Sequence, residues 1–95
     1  MTKTNTVSKK ITGGKLIRID VSYEESIDEI SITGDFFIHP EGLITKLENE
    51  LKGLYVPINK PGLIDRLNKL VERNNAELIG ISTIDIVTVL GEALQ

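Results

Sequence analysis

The stretch ITGDFFIHP, residues 32–40, gathers an acid, Asp35, both phenylalanines and the only histidine, His39. A carboxylate near an imidazole can orient it as a general base or share a metal ion with it. The nearest carboxylate to His39 is Glu41, two residues on, and no second histidine exists to complete a metal site. Hydroxyls are offered by Ser8, Ser22, Ser26, Ser31 and Ser82. One histidine must serve as base for them all, and none lies in a nucleophile-elbow sequence. The carboxylate pairs Glu24–Glu25 and Asp28–Glu29 fall in a polar turn, where solvation explains them better than acid–base chemistry. Gly13-Gly14-Lys15 lacks phosphate-loop spacing and opens a strand, not a helix. No catalytic residue and no metal ligand is therefore assigned, and His39 reads as a helix-start or surface residue.

Composition narrows the field further. The chain has 95 residues, 40% hydrophobic and 26% charged, a net charge of −3 and no cysteine. This describes one α+β domain over residues 1–95, near the lower size at which a core supports itself. Disulfides, thiolate zinc sites and cysteine nucleophiles are excluded. The acidic balance argues against general nucleic-acid binding, and no apolar run is long enough for a membrane span. A cytoplasmic chain is expected. The charges are segregated: Lys3, Lys9, Lys10, Lys15 and Arg18 come first, then Asp20, Glu24, Glu25, Asp28 and Glu29. Either a hairpin turns differently charged ends to water, or its basic end meets an anionic ligand or partner surface.

The elements that position these residues follow from periodicity. Residues 1–5 are polar and expected to fray. A short extended segment from Val7 to Ile11 ends at Thr12-Gly13-Gly14, where glycines supply the positive φ of a tight reversal. KLIRIDVSY alternates, sending Ile17, Ile19, Val21 and Tyr23 to one face and Arg18, Asp20 and Ser22 to the other. IDEISITGDFFI is read as one strand with Ile30, Ile32, Gly34, Phe36 and Ile38 inward, and Ser31, Thr33, Asp35 and Phe37 outward. The result is a three-stranded antiparallel meander with a single greasy face. Pro40 suits the first turn of a helix with Ile44, Leu47, Leu51 and Leu54 inward, ended by Gly53. A second helix buries Leu63, Ile64, Leu67, Leu70 and Val71 and stops at Asn74-Asn75. Ser82–Asp85 resembles a capping box before a last helix with Val87, Leu90 and Leu94 inward. The order β-β-β-α-α-α, with two or three helices covering one sheet face, makes a two-layer sandwich.

Glycine and aspartate are both depleted from strands, so Gly34-Asp35 is an unusual interior pair. Gly34 permits a bulge, and Asp35 can accept hydrogen bonds at the following helix start. Alternatively the irregularity aims Asp35 and Phe37 at a partner. Both can hold. Lys15 and Arg18 join them as interface candidates on the basic side.

The run from Gly13 to Phe37, GGKLIRIDVSY followed by ISITGDFF, resembles the C-terminal accessory domain of lipoate–protein ligases. The matching positions are Gly13, Gly14 and Lys15, then Gly34, Asp35, Phe36 and Phe37, then Leu51, Lys52 and Gly53. The chain starts at its own methionine without a catalytic domain, so the resemblance is to the small subunit of a two-part, archaeal-type ligase. It implies a heterodimer with a separate catalytic subunit that carries the catalytic lysine and nucleotide-binding motifs. The complete enzyme would use ATP with Mg and lipoate to make lipoyl-AMP. It would then load a lysine of a lipoyl-acceptor protein. No cofactor is expected on this chain alone. The rival reading is a stand-alone interaction or regulatory module serving an unrelated enzyme.

Overall fold

The computed structural model describes residues 2–11, 13 and 15–95. Thr12 and Gly14 of the expected turn lie outside the described residues, as does Met1. Gly13 between them has φ +92°, the left-handed backbone that a tight reversal needs. Around this turn β1 (Lys3–Lys10) pairs with β2 (Leu16–Tyr23), and β3 (Ile27–Gly34) pairs with the other side of β2. The fold is α+β, a three-stranded antiparallel sheet covered on one face by three helices.

Alternation in β2 is strict, and Ile17, Ile19, Val21 and Tyr23 are all buried. In β3 the phase shifts. Ser22 pairs with Glu29 but Tyr23 pairs with Ile27, so β3 holds Asp28 as an extra residue. This bulge lets Ile27 join Ile30 and Ile32 in the core although its spacing is out of phase with theirs. β1 begins at Lys3, not Val7, and takes in residues expected to fray. Only Val7 of that strand is part-buried; Asn5 and Lys9 instead reach α3 through the Ala93 carbonyl and Glu92.

The covering layer is α1 (Leu43–Leu51), α2 (Lys60–Arg73) and α3 (Thr83–Ala93). Leu43, Leu47 and Leu51 form the buried stripe of α1, and Leu63 and Leu67 that of α2. α3 is buried more fully, with Ile86, Val87, Val89, Leu90 and Ala93 all inside. It is wedged between the sheet and α2, which explains an apolar circumference wider than one stripe. The capping box at its start is complete. Ser82 accepts from the Asp85 N–H, and Asp85 accepts from the Ser82 N–H. Gly53, with φ +85°, follows α1 as expected. α1 starts at Leu43, three residues later than expected, because Pro40 and Gly42 form the turn before it.

The two sheet edges are treated differently. Gly53 and Leu54 bond the backbone of Ile27, and Glu48 of α1 accepts the Ile32 N–H at 2.8 Å. Glu48→Ala should therefore lower stability by about 1 kcal/mol, since a part-buried N–H loses its partner. Glu48→Gln should recover most of the loss in thermal melting.

Candidate functional site

The single strand expected through Ile38 is broken at Gly34. Leu16 of the neighbouring strand explains the break: its carbonyl oxygen accepts the Asp35 N–H at 2.9 Å. A Cβ on Gly34 would collide with that same oxygen and lie 2.9 Å from Phe36 Cε1. The chain thus leaves β3 by a route open only to glycine. It resumes as β4 (Phe37–His39), which pairs with β5 (Glu77–Ile79) in a separate two-stranded ladder. β5 is absent from the sequence reading. At three residues it is too short for periodicity to reveal, and its partner lies far away in sequence.

Alternation survives the break. Phe36 and Ile38 pack against the core, whereas Phe37 is 70% exposed. Its partner across the ladder is Ile79, itself 52% exposed. Two large apolar side chains therefore stand side by side in solvent on a short ladder, a pattern expected of partner surfaces. An open groove of about 330 Å³ adjoins them, lined by Thr33, Gly34, Phe36, Phe37, Glu41 and Ile44 among others.

Lys15 comes to this face from the hairpin. Its aliphatic stem lies over Gly80, the residue after β5, where a Cβ would meet Lys15 Cγ at 3.2 Å. The structure thus gathers Lys15, Asp35 and Phe37 at one end of the sheet and adds Ile79. Asp35 differs from one expectation. The next helix begins only at Leu43, so Asp35 caps nothing; its carboxylate is exposed and unbonded among the described residues. Its backbone makes the structural contact instead. Arg18 stands on the outer sheet face with its guanidinium on Asp20, Nε to Oδ2 at 3.2 Å. The Thr6 hydroxyl donates to the same carboxylate at 2.6 Å. These hydrogen bonds, that of Thr6 foremost, hold the Asp20 carboxyl below its usual range.

His39 faces Glu77 across the ladder, both exposed, so it sits on the rim of the site and does not start a helix. Among the described residues no three metal-ligating side chains converge, and no helix is long and apolar enough to cross a membrane. What the arrangement offers is an apolar docking face with a cation beside it.

No described protein family matches the chain, and no curated protein does. Among solved structures, the fold superposes on a chain from an archaeal lipoylation system of Thermoplasma acidophilum, with a TM-score of 0.69 and 25% identity. That system comprises a bi-partite lipoate protein ligase and its E2 lipoyl domain. The match covers 95% of this chain and 94% of the other, so the two are close in length. The resemblance carried by Gly13–Lys15 and Gly34–Phe37 thus has its counterpart in three dimensions: the chain is similar in fold to a component of an archaeal lipoylation system.

Proposed function

We propose that this protein is the accessory subunit of a two-part lipoate–protein ligase, working in the cytoplasm bound to a separate catalytic subunit. The observation that carries the reading is the near-complete mutual coverage with a chain of similar length from an archaeal lipoylation system that includes a bi-partite ligase. The exposed Phe37–Ile79 pair supplies the surface such a subunit needs. In the first half-reaction, the lipoate carboxylate attacks the α-phosphorus of ATP and pyrophosphate leaves, giving lipoyl-AMP. An acceptor lysine then takes the lipoyl group and releases AMP. Two anions must meet in the first step, so alignment and exclusion of water are valuable. A docked subunit can order the loops of the catalytic partner without giving a reacting group. Phe37, Lys15 and Asp35 are the proposed contacts, with Arg18 at the periphery.

The test is lipoate-dependent ATP–pyrophosphate exchange by the catalytic subunit, with and without this chain. Exchange should rise at least tenfold on addition, a lowering of the barrier by about 1.4 kcal/mol. Equal rates would refute the reading. Intact-mass measurement after the full reaction should show this chain unmodified. A lipoyl adduct on it would make it the acceptor instead.

A further inference from the structure

Strand β1 leaves one side of the sheet open. Because the Asp35 N–H reaches the Leu16 carbonyl, Leu16 and each second residue after it turn their peptide groups toward β3. Ile17, Ile19, Val21 and Tyr23 therefore turn toward β1, where Lys9, Val7, Asn5 and Lys3 answer them. Thr4, Thr6, Ser8 and Lys10 are left with their N–H and C=O groups pointing away from the sheet. The register of β1 on β2 is unbroken over eight residues, with no proline and no bulge. Long, regular edges of this kind are templates for another strand, and proteins usually blunt them. The opposite edge is blunted, by Glu48 and the 53–56 segment. This one is not.

Beside the open edge runs a groove of about 210 Å³, lined by Lys9, Lys10, Ile11, Asp85, Thr88 and Val89. The acids on its α3 side are already engaged: Asp85 caps the helix at Ser82, and Glu92 pairs with Lys9 at 2.8 Å. Lys10 and Lys15 have no ion pair among the described residues, so the Lys10 ammonium at the mouth of the groove is open to a carboxylate from outside. The edge is also continuous with the apolar face. The Ile11 N–H bonds the Lys15 carbonyl at 2.8 Å, and the Lys15 stem packs over Gly80, the residue that follows Ile79 in the chain.

We infer that β1 receives a fourth strand from the catalytic subunit, an extended segment with an apolar side chain in the Ile11–Val89 groove and a carboxylate beside Lys10. This rests on the accessory-subunit reading, and both contacts fit one partner because they adjoin. A second copy of this chain fits less well, since it would set the lysines of one β1 against those of another.

Amide hydrogen exchange on the complex with the catalytic subunit tests it. In the chain alone, the amides of Thr4, Thr6, Ser8 and Lys10 should exchange fast and those of Asn5, Val7 and Lys9 slowly. In the complex, the outward set should slow at least tenfold. Ser8→Pro removes one outward N–H and spares the β1–β2 ladder, so affinity should fall about tenfold with melting nearly unchanged. Should that variant fail to fold, Lys10→Glu reverses the attraction and is expected to give a comparable loss. A complex that forms while the outward amides keep their free rates overturns the inference and leaves the accessory reading intact. Protection arising in the chain alone as concentration rises assigns the edge to a second copy and also overturns it. Failure of the two subunits to associate overturns both.

Discussion

Replacing Gly34 with alanine is expected to cost about 3 kcal/mol of unfolding free energy, a drop in melting temperature of roughly 15 °C. Two effects add. The backbone at φ +154° is one that side chains adopt only under strain, at about 1–3 kcal/mol. The new methyl group would also have to displace the Leu16 carbonyl, which the Asp35 N–H holds in place. Overpacking of that kind costs about 1–3 kcal/mol more. Gly13→Ala is the matched control, because Gly13 also has positive φ but nothing lies within 4 Å of its added Cβ. It should lose only the strain, about 1 kcal/mol. Equal losses in calorimetric melting would show that the contact with Leu16 is not what demands glycine.

Phe37→Ala should leave melting within about 0.5 kcal/mol of the parent, since a side chain 70% exposed contributes little to the core. Its effect should appear instead in the proposed association with the catalytic subunit. Aromatic side chains at the centre of an interface commonly contribute about 2 kcal/mol or more, here roughly a 30-fold weaker complex by titration calorimetry. Ile79→Ala should weaken binding less. The double variant should lose less than the sum of the two, because the side chains are neighbours across the ladder and each variant already disturbs the surface they share. Unchanged affinity in Phe37→Ala would remove this face from the interface, whatever the exchange assay shows.

The sequence is legible where a local rule is sufficient. Period-two alternation from Ile17 to Tyr23, the Ser82–Asp85 box, the Asn74-Asn75 stop and the Gly53 terminus each depend on neighbours along the chain, and each stands in the structure. The outward aim of Phe37 was legible for the same reason. What escaped depends on residues remote in sequence. The break at Gly34 is imposed by a carbonyl on the adjacent strand, and the bulge at Asp28 by the need to bury Ile27 opposite Tyr23. β5 exists because β4 needs a partner, and Ile79 joins the site only through that pairing. Asp35 is misleading because its residue type suits a helix start, whereas the helix start is set by the turn through Pro40 and Gly42.

The ladder of β4 and β5 brackets everything from α1 to the end of α2. Phe37 and Ile79 can stand together only after that whole excursion has folded back on itself, because closing so long a loop must be offset by helix packing. A partner that needs both side chains at once is therefore sensitive to completion of the domain. Half-folded chains, with the hairpin formed but the helices undocked, would present Phe37 without its neighbour and be passed over. An interface built on this pair would double as an inspection of the fold.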